Sequence, residues 1–181
     1  MKHRQEILLT GAGGQGLILA SIILAEAAIQ DGRNVVQTQS YGPEARGGES
    51  MAGVIVDIDP IDFPNVTRPT MLLSLNQKSF HKFSPRAGDD CLIIVDSTFV
   101  EDVQGRSAYS YPITRETIKV IGREIVANIV SLNILNTLSG LLDQEALKNS
   151  VLARAPKGTE EMNLKALELG EELVKREKAT G

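Results

Sequence analysis

The fold is decided by the stretch Ile7-Leu8-Leu9-Thr10-Gly11-Ala12-Gly13-Gly14-Gln15-Gly16, an apolar run that ends in a cluster of glycines. The residues that follow, from Leu17 to Ala28, are rich in Leu, Ile and Ala. They extend too far for a single strand and have the composition of a helix. The stretch therefore predicts a short buried strand, a tight glycine turn and a helix.

The glycines in this turn have the spacing G-x-G-x-x-G at Gly11, Gly13 and Gly16. Glycine at these positions permits positive φ, close approach of a ligand to the backbone and close packing of the helix on the sheet. The N–H groups at the start of the helix, aided by the helix dipole, favour an anion such as a phosphate. Two other interpretations stay open: the glycines serve only tight packing, or the turn faces another protein chain.

The next strand predicted is Asn34–Thr38, which completes a right-handed β-α-β unit after a stop at Asp31-Gly32. A dinucleotide site of the usual kind requires Asp or Glu near the end of this strand, to bind the ribose hydroxyls. The sequence there is Gln37-Thr38-Gln39. The glycine spacing is thus weak support for a nicotinamide or flavin dinucleotide.

A second glycine-rich stretch follows, Ser40-Tyr41-Gly42-Pro43-Glu44-Ala45-Arg46-Gly47-Gly48-Glu49-Ser50. Its composition is poor for helix or strand and suits an ordered functional loop. Arg46 beside Gly47-Gly48 could offer a guanidinium and backbone N–H groups to an anion. Alternatively, Arg46 pairs with a neighbouring glutamate and only fixes the loop.

The remaining chain alternates strands with helices and ends in helices alone. This order predicts an α/β protein, a three-layer α/β/α sandwich around a mostly parallel, mixed sheet with a Rossmann-like first β-α-β unit. The 181 residues contain no repeat or linker, so we expect one domain over residues 1–181.

A long apolar stripe runs from Arg123 to Leu138 and predicts a helix packed on the sheet on one side and on something else on the other. Asn128, Asn133 and Asn136 interrupt the stripe. Buried asparagines need hydrogen-bond partners, so one of them could face a ligand or a subunit. The stripe could also pair with a second copy of the chain, which would give a homodimer when other partners are absent.

Several classes of function are disfavoured. Cys91 is the only cysteine, and no His or Cys cluster has the spacing of a metal site. The sequence has a net charge of −4 without a dense basic run, which argues against nucleic acid, and its apolar runs are too short for a membrane span. The first strand begins too early for a signal peptide, so we expect the cytoplasm. No Walker lysine, G-x-S-x-G motif or other catalytic residue is recognisable.

Nearly the whole chain resembles the gamma subunits of 2-oxoacid:ferredoxin oxidoreductases. The resemblance is carried by the pairing of Gly11-Ala12-Gly13-Gly14-Gln15-Gly16 with Ser40–Ser50, by Ala127-Asn128-Ile129-Val130-Ser131-Leu132 and by Asn163–Gly170. It implies an enzyme that oxidatively decarboxylates a 2-oxoacid with coenzyme A to acyl-CoA, CO2 and reduced ferredoxin. A gamma chain separate from a ferredoxin-like segment favours 2-oxoglutarate over pyruvate.

The resemblance also implies a division of labour. Thiamine diphosphate and magnesium are bound by the alpha and beta subunits, and the iron–sulfur clusters by the beta or a ferredoxin-like delta subunit. The gamma chain, inactive alone, helps to build the complex and the coenzyme A site. The site residues implied are Gly11, Gly13, Gly14, Gln15, Gly16, Tyr41, Gly42, Arg46, Gly47, Gly48 and Asn128. A purely architectural subunit and a free-standing dinucleotide-binding oxidoreductase are the alternatives.

Overall fold

A computed structural model of the chain describes residues 4–41 and 49–180. Six strands and six helices follow one another in these ranges, with short 3₁₀ turns at Ser84–Arg86 and Glu124–Val126. The strands are β1 (Gln5–Ala12), β2 (Asn34–Tyr41), β3 (Glu49–Asp57), β4 (Met71–Ser74), β5 (Leu92–Asp96) and β6 (Tyr109–Tyr111). The helices are α1 (Leu17–Gln30), α2 (Gln77–Phe83), α3 (Ile113–Ile121), α4 (Ala127–Ser139), α5 (Gln144–Arg154) and α6 (Glu160–Thr180).

The strands form one sheet in the order β2-β3-β1-β4-β5-β6. Strands β1, β4, β5 and β6 are parallel neighbours, whereas β3 is antiparallel to both β1 and β2. The predicted α/β class and mixed sheet are confirmed. The strand after α1 is nevertheless not the neighbour of β1, because β3 lies between them.

Two apolar cores lie on the two faces of the sheet, since successive side chains of a strand point to opposite faces. Ile7 and Leu9 of β1 pack with α1, α4, α5 and α6 on one face. Leu8 packs with Phe80 and Phe83 of α2 on the other face. A continuous apolar run in β1 is therefore explained by helices on both sides of the strand.

The apolar stripe predicted over Arg123–Leu138 divides at Val126, whose backbone departs from helical values, into a 3₁₀ turn and helix α4. All ten residues from Ala127 to Asn136 are buried, and α4 packs against α6, α3 and α1. The partner on the second side of the stripe is thus α6 of the same chain. The buried residues of α4 are thus not available to a second copy, whereas Ile125, just before the helix, is exposed.

Two of the asparagines in α4 bond to neighbouring segments of the chain. Asn133 donates to the carbonyl oxygen of Leu167 in α6. Asn136 donates to the carbonyl oxygen of Leu142 and accepts from its N–H, at 3.2 and 2.9 Å. These bonds fix α4 to the chain on both sides, which is a structural role for the two side chains.

Candidate functional site

The predicted glycine turn connects the end of β1, a central strand of the sheet, to the start of α1. Gly14 has φ of 95° and Gly16, the residue before α1, has φ of 71°, both in the region that favours glycine. Gly13 and Gly14 are exposed, while Gly11 is buried beneath them. No side chain caps the start of α1. The turn thus presents backbone, without side chains, at the positive end of a helix dipole.

The side chain of Gln15 holds this turn together. Its Oε1 accepts from the N–H of Ala12 at 2.6 Å, and its Nε2 donates to the carbonyl oxygen of Leu75 at 3.3 Å. A Cβ on Gly11 would lie 2.4 Å from the same Oε1. Gly11 is therefore needed to make room for Gln15, and the amide of Gln15 ties the turn to the end of β4.

Asn128 braces the other end of the turn. Its Nδ2 donates to the carbonyl oxygen of Gly16 at 3.1 Å, and its Oδ1 accepts from the N–H of Ile129 at 2.9 Å. The side chain is only 3% exposed, and a Cβ on Gly16 would lie 2.5 Å from its Nδ2. Asn128 therefore joins the first turn of α4 to the start of α1, a link between residues far apart in the sequence.

The second glycine-rich stretch is only partly described. Gly42, Arg46, Gly47 and Gly48 lie outside the described residues. The flanks are clear in the backbone: Tyr41 ends β2 opposite Ser50, and Glu49 of β3 pairs with Ala12 of β1. The ends of β2 and β3 that flank the stretch therefore lie beside the glycine turn.

A cleft of about 490 Å³ opens beside the turn. It lies where β1, β4 and β5 end. The chain leaves β1 for α1 on one face of the sheet and leaves the adjacent β4 for α2 on the other face. In open α/β sheets, ligands bind at such a point, where connections from neighbouring strands leave in opposite directions. The cleft is lined by Ala12, Gly13, Gly14, Gln15, Leu75, Phe99, Thr114, Glu124, Ile125 and Ala127.

The lining of the cleft combines the backbone of the glycine turn with apolar and polar side chains. Phe99 and Ile125 are 46% and 71% exposed, which is high for large apolar side chains. Glu124 is the single charged side chain in the described lining. The cleft can therefore accept an apolar group, and its polar contacts to an anion would come from the backbone of the turn.

Asp96, at the end of β5, supports the far wall of the cleft. Its Oδ2 accepts from the N–H and the hydroxyl of Thr114, at 3.1 and 2.6 Å, and its Oδ1 accepts from the N–H of Thr98 at 2.9 Å. The side chain is fully buried. Asp96 thus fixes the first turn of α3 and the loop that carries Phe99.

Sequence reasoning missed Phe99, Thr114 and Ile125 as residues of the site. They lie far from the first glycine-rich stretch in the sequence, and the fold brings them to the same cleft as Gly13 and Gly14. A signal was present in part. Phe99 is a large apolar residue in a segment otherwise rich in polar residues, Ser97–Gln104.

The cysteine has no features of a nucleophile. Cys91 is half-buried beside the core, and burial raises the pKa of its thiol to about 11. The thiol is therefore protonated at neutral pH. Within residues 4–41 and 49–180, no group of three His, Cys, Asp or Glu side chains has the arrangement of a metal site. None of the described helices has the length and hydropathy of a membrane span.

Residues 6–173 match the family described as pyruvate ferredoxin/flavodoxin oxidoreductase. The chain is 42% identical to the 2-oxoglutarate synthase subunit KorC of Methanocaldococcus jannaschii, over 97% of this chain and 96% of the relative.

Solved structures have the same fold. The gamma subunit of a keto/oxoacid ferredoxin oxidoreductase from Geobacter sulfurreducens superposes with a TM-score of 0.85 at 40% identity, covering 95% of this chain and 99% of that one. The 2-oxoglutarate:ferredoxin oxidoreductase of Magnetococcus marinus, solved with 2-oxoglutarate, coenzyme A and succinyl-CoA, gives a TM-score of 0.84 at 21% identity. That match covers 97% of this chain and 32% of the other, so there the fold is one part of a longer chain.

Proposed function

Because the chain belongs to the pyruvate ferredoxin/flavodoxin oxidoreductase family, we propose that it is the gamma subunit of a 2-oxoglutarate:ferredoxin oxidoreductase. The complex decarboxylates 2-oxoglutarate, transfers the succinyl group to coenzyme A and passes the electrons to ferredoxin. The choice of 2-oxoglutarate is supported by the name of the relative at 42% identity, a 2-oxoglutarate synthase subunit. The complex is cytoplasmic, and this chain is inactive alone.

In the proposed complex, the chemistry belongs to partner subunits. The alpha and beta subunits bind thiamine diphosphate and magnesium, and the beta or a ferredoxin-like delta subunit binds the iron–sulfur clusters. Cys91, the single cysteine, is half-buried and its thiol is protonated, whereas iron–sulfur clusters are bound by several thiolates. This suits the assignment of the clusters to other subunits. The gamma subunit instead contributes surface to the complex and to the coenzyme A site.

The observation that carries the proposal is the glycine turn that opens on the cleft at the ends of β1, β4 and β5. Exposed backbone at Gly13 and Gly14 suits a phosphate oxygen, since N–H groups at a helix start bind anions. The apolar lining suits an uncharged chain such as the one that carries the thiol of coenzyme A. A cleft of about 490 Å³ is within the usual range of about 300–1,000 Å³ for such sites.

The predicted site residues take two roles in this proposal. The backbone of Gly13 to Gly16 faces the phosphate, and Arg46 neutralises a phosphate or a neighbouring acidic side chain, with Tyr41, Gly42, Gly47 and Gly48 beside it. Gln15 and Asn128 act as positioning residues, because their amides already bond to Leu75 and Gly16. Gly11 makes room for Gln15.

The rim of the cleft suits a subunit interface. Phe99 and Ile125 project apolar surface at the mouth, and large apolar residues of this kind are typical of the centre of interfaces. We assign this rim to contact with the catalytic partner subunits, so that coenzyme A lies between the gamma chain and its neighbours.

A purely architectural role is the second candidate, and one observation favours it. Glu124 is the charged side chain in the described lining, and a carboxylate repels phosphate. In that case the same rim contacts partner subunits, and coenzyme A binds elsewhere.

A free-standing dinucleotide enzyme fits the geometry less well. Strand β3 separates β2 from β1, so the end of β2 lies about 10 Å from that of β1, at about 4.8 Å per strand. An acidic residue at the usual ribose position is lacking in Gln37-Thr38-Gln39.

The Gly14→Ala variant tests the coenzyme A site. A Cβ at Gly14 meets nothing within 4 Å, so the methyl group is added on the exposed side of the turn, which the proposal assigns to the ligand. We expect the methyl group to displace the phosphate from the backbone N–H groups and the KM for coenzyme A in the reconstituted complex to rise about tenfold. A tenfold rise corresponds to the loss of roughly 1.4 kcal/mol of charge-assisted hydrogen bonding. Steady-state rates of 2-oxoglutarate-dependent ferredoxin reduction measure it.

Gly32→Ala is the matched control. Gly32 also has positive φ, 74°, and open space around its Cβ, but it lies at the far end of α1, about 20 Å away at about 1.5 Å per residue. The backbone strain in Gly32→Ala should be similar to that in Gly14→Ala, and the KM of the Gly32→Ala complex for coenzyme A should not change. Equal KM values for both variants and the unmodified complex would exclude the turn from coenzyme A binding. Weaker subunit association with an unchanged KM would favour the architectural role.

A further inference from the structure

The loop that connects β5 to β6 brings Phe99 to the wall of the cleft. Strand β5 holds the beginning of this loop, because the backbone N–H groups of residues 98–100 all donate to Asp96 at its end. Val100 is 3% exposed and packs into the core on the α2 face of the sheet. The chain then leaves the core, and the next two residues are exposed. This second part of the loop is held by a different element.

Gln77, the first residue of α2, holds the second part of the loop. Its Oε1 accepts from the N–H groups of Glu101 and Asp102 at 2.9 and 3.0 Å. Its Nε2 donates to the carbonyl oxygen of Asp102 at 2.7 Å. The oxygen and the nitrogen of one side chain thus both bond to the loop backbone, as the peptide group of a neighbouring strand would. The amide of Gln77 thereby joins the loop to α2.

His81, one helical turn later, fixes the orientation of this amide. Its Nε2 lies 2.8 Å from Nε2 of Gln77. The nitrogen of a glutamine amide donates and does not accept, so the ring nitrogen of His81 is the acceptor. Turning the amide over would place its oxygen against the carbonyl oxygen of Asp102, which has no hydrogen to offer. The hydrogen bonds therefore select one orientation of the Gln77 side chain.

Helix α2 is in turn bonded to the glycine turn. The hydroxyl of Ser79, which is fully buried, donates to the carbonyl oxygen of Gly11 at 3.0 Å. Just before the helix, the carbonyl oxygen of Leu75 accepts from Nε2 of Gln15. Because β4 lies between β1 and β5, the short segment 75–79 spans the cleft from the glycine turn to the loop after β5. Its hydrogen bonds thus set the distance between these two sides of the cleft.

We infer that Gln77 is a positioning residue of the cleft. Its amide holds the loop against α2 and thereby places the phenyl ring of Phe99, two residues before Glu101, in the cleft wall. The ring is 46% exposed, so its place depends on the backbone that carries it. Phe99 contacts the ligand, and Gln77 acts through Phe99. The placement of the ring stands on the hydrogen bonds alone, whereas its consequence for coenzyme A rests on the proposed function.

Fluorine NMR of the purified chain labelled with 4-fluorophenylalanine tests the placement. The chain has four phenylalanines, and a Phe99→Leu variant identifies the signal of Phe99. Gln77→Met keeps the length of the side chain and loses its hydrogen bonds. We expect this variant to shift the signal of Phe99 and to leave those of Phe80 and Phe83 in place. The latter two belong to α2, so they report any general loss of that helix.

Gln144→Met is the matched control. Gln144 is also the first residue of a helix, α5, and also follows a residue whose side chain caps that helix. It is exposed, and its side chain bonds to none of the residues in the described ranges. We expect all four fluorine signals of Gln144→Met to stay in place.

The same variants in the reconstituted complex test the consequence for coenzyme A. We expect Gln77→Met to raise the KM for coenzyme A about threefold with kcat unchanged, since about one net hydrogen bond is lost. Phe99→Ala should raise this KM at least as much. The double variant should equal Phe99→Ala alone, because a residue that acts through another adds nothing once the other is removed. Gln144→Met should leave the KM unchanged.

Three results would overturn the inference. They are a Phe99 signal that Gln77→Met leaves in place, equal shifts of the Phe80 and Phe83 signals, and KM increases of Gln77→Met and Phe99→Ala that multiply in the double variant. An unchanged KM in Phe99→Ala would instead count against the proposed coenzyme A site. The fluorine signals would still decide whether Gln77 places the ring.

Discussion

Replacing Gly16 with alanine is expected to lower the free energy of unfolding by about 3 kcal/mol. The left-handed backbone at φ of 71° costs an L residue about 1–2 kcal/mol. The new Cβ would also lie 2.5 Å from Nδ2 of Asn128. That amide must move, and the loss of its buried bond to the carbonyl oxygen of Gly16 adds about 1–3 kcal/mol.

Urea unfolding followed by circular dichroism measures this effect. Gly14→Ala is a control within the same turn, because Gly14 has positive φ but open space around its Cβ. It should cost only the strain of about 1–2 kcal/mol. A double-mutant cycle with Asn128→Ala isolates the contact, since residues in contact are non-additive. If Gly16→Ala costs the same with and without Asn128, the brace between α1 and α4 has no energetic importance.

Gly170→Val should cost about 3 kcal/mol, at the upper end of overpacking effects. A Cβ on Gly170 would lie 2.7 Å from the carbonyl oxygen of Val130 and 2.9 Å from Cβ of Asn133. These are backbone and near-backbone atoms of α4, which no change of rotamer can move. Two further methyl groups must therefore separate α6 from α4, the packing that closes one core.

The same unfolding experiment tests this prediction, with Glu168→Val as its control. Glu168 is exposed on α6 two residues earlier, so the variant brings the same side chain without the contact. It should cost only the difference in helix propensity, about 0.5 kcal/mol. Similar losses in both variants would mean that α4 and α6 are not closely packed at Gly170.

The first half of the fold was predictable because its signals are local. An apolar run followed by glycines indicated β1, the turn and α1, and the structure confirms them. The insertion of β3 between β1 and β2 could not be predicted in this way, since strand order depends on pairing between distant residues. The same limit applies to α4, whose second partner, α6, lies some 30 residues later in the sequence.

The site was predictable only in part. The spacing of Gly11, Gly13 and Gly16 identified the turn, but composition could not reveal that Gln15 and Asn128 bond inward, to Leu75 and Gly16. From the sequence alone, an amide side chain next to a glycine turn is equally compatible with binding a ligand and with hydrogen bonding to the protein's own backbone. The rim residues Phe99 and Ile125 were missed because their proximity arises from the parallel ends of β1 and β5 and from the start of α4.

The central claim is that the Gly13–Gly16 turn faces coenzyme A at a subunit interface, and hydrogen exchange of the assembled complex tests it most directly. We expect peptides covering Gly13 to Leu19 to exchange more slowly on assembly, and more slowly again when coenzyme A is added. Peptides covering Gly32, at the other end of α1, should not respond to coenzyme A. Exchange of Gly13 to Leu19 as fast in the complex with coenzyme A as in the isolated chain would contradict the claim.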